Sequence, residues 1–307
     1  MLSTDTNGLL IVNKPVGPTS HDVVACARRA LDTRKIGHTG TLDPAASGVL
    51  GLVVGRATRL AQFLSGSEKE YIATIRFGRT TDTYDSAGEV TSETGAVPDR
   101  ESLERALTQF VGAFEQTPPG YSAKKLDGVR AYALARRKVA VVPRPVTVIV
   151  HRIEIVRQGE ATADICLTCS AGFYVRSLAH DLGRQLGTGA MLDGLVRVRL
   201  GRFSLAESVG LDVVMGESRA QVEQRLLPLE ALLTDFRAVV LTEDGVRRAR
   251  QGQNLAPHDI AAPDAGGTSS DGDARGLARL MSHDGRLVGV AEWSGPGGSL
   301  HPTVIVG

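Results

Sequence analysis

The amino-acid sequence predicts an α+β protein, on three observations. Stretches of period-two alternation are mixed with stretches of helical spacing, and no strict strand–helix–strand rhythm orders them. Hydrophobic residues make up 42% of the 307 and charged residues 22%, the balance of an ordinary globular chain. Near residue 230 the texture shifts to short strands and turn residues. The reading is a large domain over residues 1–230 and a small β-rich one over 231–307.

The first apolar run, Leu9–Val12, reads as a strand leading into Lys14-Pro-Val-Gly-Pro-Thr-Ser-His-Asp22. Pro15 and Pro18 stop regular structure there. Thr19, three residues before Asp22, forms a capping pair for a helix from about Ser20 to Leu31. Glu70–Gly78 alternates, with Tyr71, Ala73, Ile75 and Phe77 on one face, and reads as a strand. After Pro98 and Asp99, the residues Leu103, Leu107, Phe110, Val111 and Phe114 fall at helical spacing, and Pro118-Pro-Gly120 ends that helix. A further helix is expected around Val129–Lys138.

Val146, Val148 and Val150 alternate, as does Ala161–Thr168, which predicts two strands about a turn near Gln158-Gly159. A helix from about Tyr174 to Leu186 follows, closed by Gly187, and Leu195–Phe203 reads as another strand. The small domain offers Val239–Leu241, a helix over Glu243–Gln251, and strands around Leu277–Met281, Leu287–Trp293 and Thr303–Val306. Ser282-His-Asp-Gly285 reads as a hairpin turn. Residues 262–276 are almost all Ala, Gly, Asp, Ser and Pro and read as a mobile loop. No internal repeat is visible.

No apolar run approaches the roughly 18–20 residues of a membrane helix; Val146–Val150 and Gly48–Gly55 are short or broken by glycine. Met1–Lys14 lacks the basic-then-apolar order of a secretory signal. Three cysteines make no fully paired framework, so a reduced, cytoplasmic chain is expected. Net charge is only +1, but its distribution is uneven. Residues 230–307 carry 7 Lys and Arg against 10 Asp and Glu, which leaves 28 against 24 for the rest. Within Tyr121–Arg157, nine basic residues face only Asp127 and Glu154. That local excess reads either as a polyanion-facing surface or as a solvated charged face.

The densest chemical signal is Gly37-His-Thr-Gly-Thr-Leu-Asp-Pro-Ala-Ala-Ser-Gly-Val-Leu50. Its one carboxylate, Asp43, precedes Pro44, which disfavours helical geometry and displays the acid on a constrained loop. Two readings stay open on these residues alone. Asp43 is presented for chemistry, or it bonds its own backbone in a tight turn. His38 reads equally as a structural or a functional histidine.

This segment resembles the catalytic-aspartate motif of the TruB-type tRNA pseudouridine synthases, in which the Asp of T-L-D-P is the nucleophile. Val12-Asn-Lys-Pro-Val-Gly-Pro-Thr-Ser20 resembles that family's N-terminal segment. Cys169-Ser-Ala-Gly-Phe-Tyr-Val-Arg176, running on to Asp181-Leu-Gly183, resembles its third motif. The three lie in family order, and the likeness extends over roughly residues 8–230.

The resemblance implies a mixed, largely antiparallel sheet flanked by helices, and it implies roles. Asp43 is expected as nucleophile, and Arg176 as the arginine beside it, since an adjacent guanidinium favours an ionised carboxylate. Tyr71, in Lys69-Glu-Tyr71, matches the tyrosine that stacks on the target base and takes part in removing its C5 proton. His38 resembles the histidine that fills the gap left by the extruded nucleotide. Tyr174 and Leu195 match residues near the base and nucleophile, and Lys14 is expected to brace the catalytic loop or touch RNA phosphate. Lys124, Lys125, Arg136 and Arg137 are the candidate phosphate contacts of an RNA clamp over residues 121–157. By position, and by Leu241-Thr-Glu-Asp-Gly-Val-Arg-Arg-Ala-Arg-Gln-Gly252, the tail resembles a reduced PUA-type RNA-binding domain.

The implied reaction exchanges the bond from uracil N1 to ribose for one from C5, which needs no cofactor, nucleotide or metal. One aspartate suffices as covalent catalyst. Whether it attacks C1′, attacks C6 or assists glycal formation stays open. The implied substrate is the uridine at position 55 in the T loop of tRNA, flipped from its stack and read mainly by RNA shape. A monomer with no membrane association and no obligatory protein partner is expected. The rivals are a relative of the guide-RNA-dependent synthases, a non-catalytic tRNA-binding or folding module, and a synthase acting on ribosomal RNA. Cys166-Leu-Thr-Cys169 has the spacing of a redox or metal pair, but on a strand residues three apart face opposite sides. Gly187-Thr-Gly189 lacks the strand and full fingerprint of a nucleotide loop.

Overall fold

The apolar runs at Leu9–Val12 and Val49–Val54 do not alternate with polar residues, because each is buried on both faces. They lie at the centre of the fold in the computed structural model, which describes residues 6–120, 125–126, 129–130, 144–263, 276–294 and 299–307.

Strand β1 (Gly8–Lys14) leads into helix α1 (Ser20–Ala30), which carries the expected capping box. The Thr19 hydroxyl accepts from the Asp22 N–H, and the Asp22 carboxylate accepts from the Thr19 N–H. Then come β2 (Ile36–His38), β3 (Ala46–Val54), the short helix α2 (Ala61–Ser65) and β4 (Lys69–Phe77). The hairpin β5 (Arg79–Thr81) and β6 (Val90–Glu93) precedes helix α3 (Arg100–Thr108) and β7 (Gly112–Gln116). A two-residue pair, β8 (Lys125–Leu126) and β9 (Val129–Arg130), leads to β10 (Val146–Gln158), β11 (Thr162–Cys169) and helix α4 (Val175–Gln185). β12 (Ala190–Leu200), β13 (Phe203–Ser204), β14 (Val209–Gly210), α5 (Leu211–Gly216) and α6 (Arg219–Gln224) complete the larger part. β15 (Arg237–Leu241), α7 (Glu243–Arg250), β16 (Ile260–Pro263), β17 (Leu277–Met281), β18 (Leu287–Ser294) and β19 (Ser299–Ile305) form the rest.

The main sheet runs β14-β1-β3-β12-β4-β11-β10-β7 and is antiparallel except at β1–β14 and β3–β12. The α+β expectation with a mixed, largely antiparallel sheet describes it. Leu10, Val12, Leu50, Leu52 and Val54 face a core closed by α1, α3, α4 and α5. Leu9, Ile11, Val49 and Val53 face the other way and pack with Leu287 and Val290 of the second sheet, ordered β16-β15-β17-β18-β19, and with Val306 just beyond its last strand. The C-terminal sheet therefore seals the back of the two central strands. No described helix is long and apolar enough to cross a membrane.

Three expectations need correction, and one strand was not expected. The helix extended through Phe114 ends at Thr108, because Gly112 takes a φ of +95° and breaks it. Phe114 then lies in β7, opposite Val148, and still packs edge-on against Phe110 at 5.9 Å. The strand expected from Leu195 to Phe203 starts earlier, at Ala190, and stops at Leu200. β3 had no expected element at all, because its uninterrupted apolar run carries no period. The helix expected from Val129 begins instead as β9, paired with Lys125–Leu126; residues 131–138 lie outside the described residues, as do 264–275 of the expected mobile loop.

Candidate active site

The loop from Thr39 to Ala45 joins β2 to β3 and holds Asp43 at its tip. Its backbone is tied down on every side. The Ser20 hydroxyl, at the first residue of α1, donates to the Leu42 carbonyl and accepts from the Leu42 N–H, at 3.0 and 2.8 Å. The Gly17 N–H donates to the Pro44 carbonyl at 2.8 Å. Lys14, with no exposed surface, points its ammonium at the carbonyls of Ala46, Pro15 and Pro44, at 2.6, 2.8 and 3.5 Å. Burial depresses its pKa to about 8, with nearby Asp43 pulling the other way. Of the two expectations for Lys14, bracing the loop fits and contact with RNA phosphate does not, because protein carbonyls enclose the ammonium.

Arg197 holds the loop from below. Its Nε donates to the Val49 carbonyl at 2.6 Å and its Nη2 to the Gly40 carbonyl at 3.1 Å, and it lines the same cavity as Tyr71. The strands meet so tightly here that Gly48, opposite Arg197 in register, is required. It has a φ of +105°, and an added Cβ would sit 2.2 Å from the Arg197 carbonyl oxygen.

Arg176, in the first turn of α4, reaches Asp43 with its Nε 3.1 Å from the carboxylate. The guanidinium is 9% exposed and Asp43 45%, so the pair sits at a mouth, its cation held in the wall and its anion open. On its far side Arg176 Nη1 lies 3.5 Å from the Asp85 carboxylate and 3.4 Å from the Thr83 carbonyl. The arginine is thus gripped between two carboxylates from different loops. Gln116, at the end of β7, fixes the start of α4 by accepting from the Tyr174 N–H and donating to the Tyr174 carbonyl, at 2.8 and 3.0 Å.

Asp43, Lys69, Tyr71, Tyr174, Arg176, Leu195 and Arg197 line one cavity of about 260 Å³. Tyr71 is its buried floor, and burial raises the pKa of its phenol, so the neutral form prevails. That favours a stacking wall over a strong base. Lys69 donates to the Ser65 and Ser67 carbonyls, both at 2.6 Å, with its pKa pushed down by burial to about 8. Leu195 sits opposite Ala46 in the parallel ladder, beside the loop tip. His38 does not line this cavity; it ends β2, where its Nδ1 accepts from the Gly40 N–H at 3.4 Å.

The expected residues Asp43, Tyr71, Arg176, Tyr174 and Leu195 converge, then, with Lys14 beneath them. Lys124, Arg136 and Arg137 lie outside the described residues, and of Lys125 only the backbone, in β8, is described. Farther along the basic segment, Arg152 pairs with Glu154 at 2.6 Å and Arg157 with Asp164 at 2.9 Å, which offsets part of the expected charge. Asp85, Arg197 and Ser20 received no role from the sequence. Arg197 lay in the strand expected over Leu195–Phe203 and Ser20 in the N-terminal motif, but nothing in the spacing set them apart. Cys166 is half-buried and Cys169 buried, on opposite sides of β11, and both are free. Among the described residues no cluster of histidine, cysteine or carboxylate side chains is placed to hold a metal.

Residues 28–175 match the family described as TruB family pseudouridylate synthase (N terminal domain). Residues 176–234 match the tRNA pseudouridylate synthase B C-terminal domain. The chain is 48% identical over 259 residues to a tRNA pseudouridine synthase B of Symbiobacterium thermophilum, spanning 83% of this chain and 84% of that one. It is 41% identical over 304 residues to one from Solibacter usitatus, spanning 98% and 100%. Among solved structures, a Cbf5-Nop10-Gar1 complex aligns with a TM-score of 0.75 and 26% identity, over 98% of this chain and 85% of that one.

Proposed function

This chain belongs to the TruB family of pseudouridylate synthases, and from that premise we propose that it isomerises uridine 55 in the T loop of tRNA by means of Asp43. It is a pseudouridine synthase, an isomerase acting on uridine in tRNA. The observation that carries the site assignment is the Asp43–Arg176 pair at 3.1 Å on the rim of a cavity floored by Tyr71.

In the proposed reaction a flipped uridine enters that cavity and its base lies against Tyr71 and Leu195. The N1–C1′ bond breaks, the base turns, a C5–C1′ bond forms, and the C5 proton leaves while N1 regains one. Asp43 is the covalent catalyst, oriented at the cavity mouth by Arg176. Arg176 keeps its own orientation through Asp85 and the Thr83 carbonyl, so it arrives preset rather than assembling on binding. We propose a stand-alone enzyme, in line with relatives named tRNA pseudouridine synthase B that align over most of this chain. Three free cysteines fit a reduced cytoplasmic setting. Residues 1–230 are the proposed catalytic domain and 231–307 an RNA-binding domain.

The test incubates purified protein with unmodified tRNA transcript, without metal, nucleotide or guide RNA, and maps pseudouridine by base-specific chemical labelling. Wild type converts the T-loop uridine; Asp43→Asn binds the RNA but does not convert it. Binding without conversion by both proteins would overturn the proposal in favour of a tRNA-folding module or a guide-dependent synthase.

A further inference from the structure

Helix α4 carries Arg176 and, one turn later on the same face, His180. The imidazole of His180 lies flat on the ring of Tyr84, with centroids 3.9 Å apart and planes 15° from parallel. Tyr84 stands between the two residues that grip the far side of Arg176: Thr83 with its carbonyl and Asp85 with its carboxylate. The stack thus joins the loop that orients the guanidinium to the helix that bears it.

Two further observations give the stack a purpose. Tyr84 has a φ of +65°, a backbone region that a bulky aromatic rarely occupies, and such strain persists only where surrounding contacts hold it. The contacts are here. The Leu192 N–H donates to the Tyr84 carbonyl at 2.9 Å and the Ser86 N–H to the Leu192 carbonyl at 3.0 Å, pinning the turn to β12. The Thr83 hydroxyl and the Ala87 N–H donate to Asp85 Oδ1 at 2.6 and 3.1 Å, leaving Oδ2 for Arg176. His180 Nδ1 is buried with no hydrogen-bond partner among the described residues, so that nitrogen does nothing to orient the ring and the stack on Tyr84 does. Burial lowers its pKa, with Arg184 acting the same way and Asp181 against, which favours the neutral ring that stacks best.

We propose that the Tyr84–His180 stack is a positioning device for the reaction: it clamps the Thr83–Asp85 turn onto α4 and so fixes the angle at which Arg176 meets Asp43. The proposal rests on the functional reading above. Wild-type turnover on T-arm RNA tests that reading, and the ratios among variants test the stack.

The experiment measures kcat, KM and Tm on an unmodified T-arm stem-loop for Tyr84→Ala, Tyr84→Phe, His180→Ala and His180→Phe. Tyr84→Ala keeps the same left-handed strain and loses only the ring. The expected result is a fall in kcat of about threefold to tenfold for both alanine variants, at unchanged KM and with Tm lowered by no more than about a few degrees, and with both phenylalanine variants restoring kcat. In an Asp85→Asn background, Tyr84→Ala should add less than it does alone, because only the Thr83 carbonyl then links the turn to Arg176. Wild-type kcat in Tyr84→Ala, a loss that simply follows Tm, or the full loss persisting in Asp85→Asn would each overturn the proposal. Should Tyr84→Ala fail to fold, His180→Ala puts the same question from a regular helix position.

Discussion

Replacing Lys14 by Met sets two terms of similar size against each other, and their balance makes a sharp prediction. The ammonium donates at 2.6 and 2.8 Å to two carbonyls and reaches a third at 3.5 Å. Methionine removes all three donors, and each of the two close carbonyls left without one costs about 1–3 kcal/mol. Against this, burial lowers the Lys14 pKa from 10.5 to about 8, and removing the buried charge returns roughly 3 kcal/mol at neutral pH. Stability should therefore move by no more than about 3 kcal/mol, a few degrees in Tm for a chain of this size. Activity has no such offset. Pro44 and Ala46 flank Asp43, so loosening them shifts the nucleophile, and a displacement of about 1 Å costs on the order of a hundredfold in rate. Tritium release from 5-tritiated T-arm RNA, run beside thermal melts, measures both. The reasoning requires kcat to fall at least tenfold with KM nearly constant. A wild-type kcat at unchanged Tm would refute the brace, and a pure rise in KM would return Lys14 to the RNA-contact reading.

Three other outcomes follow from the same geometry. Arg176→Lys keeps the charge but cannot serve Asp43, Asp85 and the Thr83 carbonyl together; kcat should drop about tenfold to a hundredfold with RNA affinity intact, by titration against T-arm RNA. Gly48→Ala drives a methyl to 2.2 Å from the Arg197 carbonyl at a φ of +105° and should cost about 3–5 kcal/mol in urea unfolding. Lys14 and Lys69 both titrate near 8 when folded and near 10.5 when unfolded, so across that window the unfolded chain binds more protons. Their contribution makes stability rise from about pH 8 to 10.5, while turnover falls as the Lys14 brace loses its proton; denaturant titrations and rates at pH 7.5 and 9.5 measure the two opposite slopes.

Legibility in the sequence followed the physics of exposure. β4 has one face in the core and one in solvent, so Tyr71, Ala73, Ile75 and Phe77 alternate and the strand could be read residue by residue. The α1 capping box was equally plain, because Thr19 and Asp22 satisfy each other locally. β3 was silent for the opposite reason. Packed on both faces, it has no period, and its glycines look like breaks until Arg197 is seen lying against Gly48. The Gly37–Leu50 loop announced its carboxylate but left its role open. The role proposed for it leans on Arg176, 133 positions away in sequence and adjacent only once α4 is docked. Asp85 and Arg197 were out of reach for the same reason, since an arginine that bonds backbone carbonyls leaves no spacing in the chain that bears it.

That difference also explains how the site divides its labour. Asp43 is the half-exposed member of the pair, and its carboxylate meets the Arg176 guanidinium at 3.1 Å. The groups that position it are buried, and they act mostly on backbone: Ser20 on Leu42, Lys14 on Pro44 and Ala46, Arg197 on Gly40 and Val49. A nucleophile fixed by its own hydrogen bonds would lose reactivity as they strengthened. In the proposed mechanism, fixing the loop instead leaves the carboxylate open to the nucleotide on its cavity side while removing the freedom that would make attack improbable. Rigidity is thus supplied through the main chain and reactivity kept on the side chain. On this arrangement, substitutions at Lys14, Ser20 and Arg197 should lower kcat without touching any reacting atom.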